Sequence, residues 1–175
     1  MKLYLKVPDE NDRERVLDFA REFMTESPNH IPGAPSLAKV DSYEDWLTHV
    51  EKDINDPGEG RVPATQYIGI REEDDRVIGV IQLRHSLNDF LLNEGGHIGY
   101  SVRPSERRKG YASTMLQLCL AQAKALGIEN VLITCDEDNV GSAAVIEKAG
   151  GVLEDIRGED DMRKKRYWVT LTSNI

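Results

Sequence analysis

The segment from Val102 to Ala112 carries residue types that bind phosphate groups. Gly110 lacks a Cβ, so the backbone there can turn sharply and approach a ligand closely. A helix is predicted to begin directly after it, and the first N–H groups of a helix have no partner inside the helix and carry a positive partial charge. Four cations lie nearby in a chain of net charge −9, namely Arg103, Arg107, Arg108 and Lys109. These features predict a phosphate or pyrophosphate site, and the alternative is a solvated basic turn.

The helix after Gly110 is predicted from residues that recur at helical spacing. Its apolar face consists of Ala112, Met115, Leu116, Cys119, Leu120, Ala123 and Leu126. Gly127 provides a stop signal because glycine readily adopts the left-handed conformation that ends helices.

Alternating apolar residues and turn signals predict the other elements. Strands are expected at 2–7, 66–71, 77–83, 97–103, 131–135, 152–156 and 166–171, and helices at 9–25, 42–56, 112–126 and 140–149. The order is therefore βααβββαβαββ. It predicts an α/β fold with a mixed, mostly antiparallel sheet and helices on both faces.

Length and composition exclude several classes of protein. A chain of 175 residues favours one domain over residues 1–175, and its pI near 5.0 argues against nucleic-acid or anionic-membrane partners. Cys119 and Cys135 belong to no Cys/His cluster, which predicts reduced thiols and no metal site. The charged N-terminus lacks the apolar run of a secretory signal, and no segment reaches membrane-spanning length. We therefore expect a cytoplasmic protein.

Two separated motifs resemble those of one enzyme family. The spacing Arg-x-x-Gly-x-Ala from Arg107 to Ala112 resembles the acetyl-coenzyme A signature of the GNAT family of N-acetyltransferases. Asn139-Val140-Gly141-Ser142, followed by the helix end Glu147-Lys148-Ala149-Gly150, is similar to the second motif of that family. The resemblance implies a GNAT-like sheet in which the strands at 97–103 and 131–135 are parallel neighbours that splay apart.

The resemblance also implies acetyl-CoA as the co-substrate, no metal, and direct transfer of the acetyl group from the thioester to an amine. The N–H groups of Ser101 and Val102 would bond the pantetheine amides or the thioester carbonyl, and those from Arg108 to Ala112 would hold the pyrophosphate. Asn139 would bond the pantetheine arm from the other wall, and Ser142 supplies a hydroxyl or a local helix cap. The implied cofactor-binding set is Ser101, Val102, Arg107, Arg108, Lys109, Gly110, Tyr111, Ala112, Asn139 and Ser142.

Acetyl transfer to an amine requires a base, because an alkyl amine with a pKa near about 10.4 is protonated at neutral pH. The first candidates for this base are His97, which begins the strand that borders the cleft, and Glu94, which precedes it. His85 is a third candidate. Ile146 stands where the family has the tyrosine that protonates the leaving sulfur. Either Tyr111 or water replaces that tyrosine, or the thiolate leaves unaided, since a thiol of pKa about 8.5 is a fair leaving group.

The acceptor is expected to bind to the two N-terminal helices, the loop Ser27 to Val40 and the connection Ser86 to Gly96. These segments carry the carboxylates Glu26, Asp41, Glu44, Asp45, Asp89 and Glu94. A negative rim suits a cationic small amine or a peptide amine.

The rival interpretation is a non-catalytic acyl-CoA-binding or sensing module, which the isoleucine at 146 favours. The sequence is compatible with a monomer and with a homodimer.

Overall fold

The computed structural model describes residues 2–171, and its main elements follow the predicted order βααβββαβαββ. The strands are β1 (Leu3–Lys6), β2 (Ala64–Arg71), β3 (Val77–Arg84), β4 (Ile98–Val102), β5 (Asn130–Asp136), β6 (Val152–Arg157) and β7 (Lys164–Thr170). The helices are α1 (Arg13–Glu26), α2 (Tyr43–Asn55), α3 (Tyr111–Ala125) and α4 (Val140–Lys148). Among residues 2–171, no helix has the length and apolar character needed to cross a membrane.

The strands form one seven-stranded sheet with the order β1-β2-β3-β4-β5-β7-β6. Every neighbouring pair is antiparallel except β4 and β5, which are parallel. The sheet is therefore mixed and mostly antiparallel, as the sequence predicted. The parallel pair lies at its centre, where the chain crosses over through α3.

Helices cover both faces of the sheet, which confirms the predicted architecture. On one face, α1, α2 and the loop between them pack on β2 and β3 through a core that includes Phe19, Trp46 and Ile68. On the other face, α3 and α4 pack through residues such as Met115, Leu116 and Ile133. Both cysteines are buried and free, and burial raises the pKa of the Cys119 thiol to about 12.

The start of α1 differs from the prediction. Asp9 caps a short 3-10 turn at Glu10–Asp12, and α1 begins only at Arg13. Asp12 causes this offset, because its fully buried carboxylate accepts a hydrogen bond from the Asp9 N–H at 2.8 Å and pairs with Lys6 at 2.6 Å. At α2 the prediction is correct, since the hydroxyl of Ser42 accepts from the N–H of Asp45 and caps the helix.

The loop between α1 and α2 is fastened to the centre of the sheet at Gly33. The φ of Gly33 is +87°, and a Cβ at this position would lie 2.7 Å from the Cα of Tyr100. The Gly33 carbonyl accepts from Gln66 on β2, and the carbonyl of Pro32 accepts from the Ser101 hydroxyl on β4, each at 2.7 Å. This loop is therefore held directly over β4, on the face opposite α3 and α4.

Candidate active site

The centre of the sheet opens between β4 and β5. Within residues 2–171, these strands align at a single pair, Ile98 with Ile133, after the N–H of His97 has donated to the Leu132 carbonyl at 2.7 Å. Beyond that pair the two strands diverge. The predicted splay is thus confirmed, and the edge of β4 that faces β5 has backbone groups without a strand partner.

The strand register decides which N–H groups of β4 face this gap. The N–H of Arg103 donates to the Ile78 carbonyl at 2.7 Å, and Ser101 is aligned with Val80. Because hydrogen-bonding direction alternates along an antiparallel strand, the N–H of Ser101 points to β3, whereas those of Tyr100 and Val102 point to β5. The gap-facing pair is therefore Tyr100 and Val102, which corrects the sequence prediction for Ser101.

The N-terminus of α3 lies at the far end of β4. Gly110 is its N-cap with a φ of 87°, and Arg108 also has a positive φ, of 64°. These two left-handed residues curl the backbone into the helix, and within residues 2–171 the N–H groups of 108–113 have no acceptor. Free, convergent N–H groups at a helix start fit an anion such as a pyrophosphate.

The four cations of this segment do not form the free cluster that the sequence predicted. Arg103 is 1% exposed, donates twice to the Val77 carbonyl and pairs with Asp18 and Glu22 on α1. The exposed pair Arg107–Glu26 is formed at 2.8 Å, and Lys109 pairs at 2.9 Å with Glu106, which is buried. Arg108 has no ion pair among residues 2–171, so its side chain and the free backbone N–H groups are the donors available to an anion here.

The start of α4 forms the other wall of the gap. Asn139 is the N-cap, and its Oδ1 accepts from the Ser142 N–H at 3.0 Å, while its amide NH₂ has no acceptor among residues 2–171. The hydroxyl of Ser142 lies 2.8 Å from the phenol of Tyr100 and is hydrogen-bonded to it. Asn139 rather than Ser142 is thus the local cap, and Ser142 connects α4 to β4.

The family model for the acetyltransferase (GNAT) domain matches residues 2–152 of this chain. This match covers most of the sequence, and the splayed parallel strands lie inside it. The chain belongs to the GNAT acetyltransferase family. A search of curated protein sequences finds no significant relative.

Solved GNAT structures share the fold over nearly the whole chain. A ribosomal-protein alpha-N-acetyltransferase in complex with coenzyme A is 21% identical with a TM-score of 0.71, over 98% of this chain and 95% of that one. The microcin self-immunity acetyltransferase MccE, in complex with acetyl-CoA and AMP, is 15% identical with a TM-score of 0.69. This match covers 97% of this chain and 93% of that one. The spermidine N-acetyltransferase SpeG chimera from Vibrio cholerae and hSSAT is 16% identical with a TM-score of 0.64, and the match covers 97% of this chain and 96% of that one.

In this GNAT protein the tyrosine position on α4 is part of the core. Ile146 is fully buried and packs in the cluster beneath α3 and α4. Tyr111, one proposed replacement, is directed away from the gap, because its phenol accepts from Arg71 on β2 at 3.0 Å. Tyr100 is the tyrosine that reaches the gap, on the same face of β4 as Ile98 and Val102.

His97 is held by the junction of β3, β4 and β5. Its Nδ1 accepts from the Leu132 N–H at 2.9 Å, and its carbonyl accepts from the Arg84 N–H at 2.7 Å. Burial, with a smaller contribution from the charge of Arg84, lowers the pKa of His97 to about 4. The ring is therefore neutral, its accepting nitrogen is occupied, and this geometry argues against its role as a base. His85, the third candidate, is bonded through Nε2 to the Thr65 hydroxyl at 2.7 Å.

Glu94 lies in a short π-helical turn, Leu91–Gly95, that the sequence analysis did not predict. Its carbonyl accepts from the Thr134 hydroxyl at 2.6 Å, one residue beyond the β4–β5 alignment at Ile133. Within residues 2–171 its carboxylate has neither an ion-pair nor a hydrogen-bond partner. Glu94 thus lies beside the start of the gap, on the face opposite α3 and α4.

Two carboxylates of the predicted acidic rim are already paired. Glu26 pairs with Arg107 at 2.8 Å, and Glu44 pairs with Arg13 at 3.2 Å. The net negative charge near the acceptor loops is therefore smaller than the sequence suggested.

Proposed function

We propose that this protein is an acetyl-CoA-dependent N-acetyltransferase that passes the acetyl group directly from the thioester to an amine. The opening between β4 and β5, beside the free N–H groups at the start of α3, carries this proposal. A pyrophosphate group fits the helix start and an extended amide-bearing arm fits the opening. The continuous seven-stranded sheet supports a single acyltransferase domain over residues 1–175.

The proposed binding groups for acetyl-CoA come from three elements. The N–H groups of 108–112, which include Gly110, Tyr111 and Ala112, hold the pyrophosphate, and the side chains of Arg107, Arg108 and Lys109 add positive charge around it. The N–H of Val102 bonds the arm from β4, and the amide of Asn139 bonds it from α4. Ser101 supports the site differently, since its hydroxyl fastens the loop at Pro32 to β4.

The chemistry needs three further contributions from the chain, and acetyl-CoA itself supplies an activated acetyl thioester. The gap-facing N–H of Tyr100 is placed to stabilise negative charge on the acyl oxygen, while that of Val102 bonds the arm. Glu94 removes the proton of the amine, directly or through water, because its carboxylate is unpaired among residues 2–171 and its backbone borders the gap. Tyr100 supplies a proton to the departing sulfur in place of the tyrosine that Ile146 replaces.

The acceptor is proposed to be an amine of a small molecule or a peptide. The named activities of the similar structures support this class, since they include acetylation of a ribosomal protein and of spermidine. The acceptor approaches from the face that carries the α1–α2 loop and Glu94, opposite the proposed acetyl-CoA wall.

Two measurements on the purified protein test this proposal. Calorimetry should detect acetyl-CoA binding, and thiol release should appear when acetyl-CoA is mixed with a panel of peptides, polyamines, amino sugars and amino acids. Binding without thiol release from any amine would favour the non-catalytic sensing module. Absence of binding would overturn the assignment of the gap.

A further inference from the structure

Arg84 is a partly buried cation without a counter-ion. Among the arginines within residues 2–171, only Arg21, Arg84 and Arg108 lack an ion pair, and Arg21 and Arg108 are exposed. Burial alone lowers the pKa of Arg84 below its ordinary value. A cation that is partly removed from water loses hydration that a nearby anion would offset, so the missing partner requires a physical reason.

The hydrogen bonds of Arg84 leave most of its guanidinium free. Its Nη1 donates to the carbonyls of Gly95 and Gly96 at 3.0 and 3.2 Å. No acceptor for Nε or Nη2 is present in the part of the chain that the structure describes. The two bonds orient the planar group, and the remaining donors keep the forked geometry that matches an oxyanion.

The free side of Arg84 lies where the two predicted acceptor-binding loops meet. A methyl group on Gly99 of β4 would lie 3.5 Å from Arg84 Nη2 and 3.5 Å from the Gly33 nitrogen. Gly33 belongs to the α1–α2 loop, and Gly95 belongs to the connection that carries Glu94. The guanidinium therefore bonds the connection that carries Glu94 and lies near the α1–α2 loop, above the strand that borders the gap.

We propose that Arg84 binds an oxyanion, a carboxylate or a phosphate, on the acceptor, so that the acceptor is an amine that also carries an anionic group. This inference rests on the proposed function and names the substrate class of that site. Glu94 precedes Gly95 directly, so the proposed base and the proposed anion site share one turn. That proximity favours a compact acceptor with its amine close to its anionic group, such as an amino acid, a short peptide or an aminoalkyl phosphate. It differs from the purely cationic amine that the acidic rim suggested.

Matched pairs of acceptors test the proposal. An amino acid against its amide, a dipeptide against its C-terminal amide, and phosphoethanolamine against ethanolamine differ in the anionic group. We expect kcat/KM to be at least about ten-fold higher for the anionic member of one pair, because charged hydrogen bonds discriminate at this level. The carboxylate and phosphate pairs then distinguish the two sources of the oxyanion. Equal kcat/KM within every pair would overturn the proposal.

Variants of Arg84 separate recognition from a structural effect on the loop. Arg84→Met should remove the preference for the anionic member, while Arg84→Lys, which retains the charge, should keep part of it. Arg157→Gln is the matched control, because Arg157 also bonds this loop, through Asn93 at 2.7 Å, but is compensated by Asp155. The preference should persist in Arg157→Gln, and its persistence in Arg84→Met would overturn the proposal.

Binding measurements keep this test independent of turnover. Calorimetry on the CoA-loaded protein should show the preferred anionic probe binding about ten-fold or more weakly to Arg84→Met than to the unmodified protein. If no amine supports thiol release, the proposed function fails, but the oxyanion site is still decided by this measurement. Equal affinities would reject Arg84 as the anion-binding residue whatever the catalytic outcome.

Discussion

The phenol of Tyr100 on β4 and the hydroxyl of Ser142 on α4 are hydrogen-bonded at 2.8 Å, and together they join the two walls of the open centre of the sheet. Ser142 is in turn positioned by Asn139, whose Oδ1 accepts the Ser142 N–H. This arrangement orients a phenolic O–H in the gap where the family tyrosine is absent. In the proposed mechanism Tyr100 supplies, from a strand, the proton that the family supplies from a helix.

Replacing Tyr100 with Phe should lower kcat without weakening acetyl-CoA binding. We expect a loss of about ten-fold to a hundred-fold, at the lower end of general-acid effects, because a thiolate is a fair leaving group. Steady-state thiol release at saturating acetyl-CoA measures kcat, and calorimetry measures binding. Burial raises the pKa of Tyr100, although the Ser142 hydrogen bond lowers it in part, so the phenol should remain a proton donor into the alkaline range.

Tyr67→Phe is the matched control for this prediction. Tyr67 packs against the same core beneath α3 and is also partly buried, but it lies on β2, away from the gap. Its loss of a hydroxyl should leave kcat nearly unchanged. An unchanged kcat in Tyr100→Phe would instead mean that the thiolate leaves unaided or takes its proton from water.

Replacing Gly110 with Asp should weaken acetyl-CoA binding by about ten-fold or more. The new carboxylate would stand at the positive end of α3, beside the proposed pyrophosphate, and the φ of 87° is one that residues with a side chain adopt only rarely. Calorimetry with acetyl-CoA measures the loss. Gly110→Asn has nearly the same shape, tolerates a left-handed φ and carries no charge. It should retain most of the affinity, and equal losses in both variants would show that crowding rather than charge is responsible.

The backbone of the site could be predicted from sequence because local patterns specify it. Gly110 marks a left-handed turn before an apolar helical face, and the sequence places the next helix cap at Asp138 or Asn139, of which the structure selects Asn139. The period-two pattern of β4 also contained the information that Tyr100 shares a face with Ile98 and Val102. Its partner Ser142 lies on another element, so the hydrogen bond required the folded structure.

The ion pairs of the site could not be predicted, because their partners are distant in sequence. Arg103 and Arg107 lie in one basic segment of the sequence, yet α1 supplies carboxylates to both, more than 80 residues earlier. For the same reason the sequence does not single out Arg84, because its proposed role in binding an oxyanion depends on the absence of an ion-pair partner among residues 2–171. The spacing of apolar residues indicates whether a segment forms a helix or a strand, whereas ion pairs between side chains on different elements depend on how those elements pack.

Replacing Arg103 with Met should destabilise the fold, since this cation fastens α1 to the β3–β4 edge. Its removal leaves the buried Val77 carbonyl without its two side-chain donors, and it takes one ion-pair partner from Asp18 and Glu22, which keep Arg76 and Ser105. We expect the free energy of unfolding to fall by about 2 to 3 kcal/mol, the cost of an unsatisfied buried carbonyl with the loss of two partly exposed ion pairs. Urea unfolding measures this change. The exposed pair Arg13–Glu44 provides the control, and Arg13→Met should cost no more than about 1 kcal/mol. Similar losses for both variants would contradict a structural role for Arg103.

The state of His97 predicts how stability depends on pH. Its pKa is about 4 in the folded chain against an ordinary value of 6.5, so the unfolded chain binds the proton more tightly. The neutral ring contributes its full stability above the unfolded pKa, and that contribution is lost as the pH falls from 6.5 towards about 4. Between pH values of about 7 and about 5 we expect this group alone to remove about 2 kcal/mol from the free energy of unfolding.

Urea titrations at the two pH values measure the change, and His97→Asn keeps an acceptor for the Leu132 N–H without a titrating group. The variant should lose less stability over this interval, whereas an identical pH dependence would mean that His97 is not held neutral by its burial.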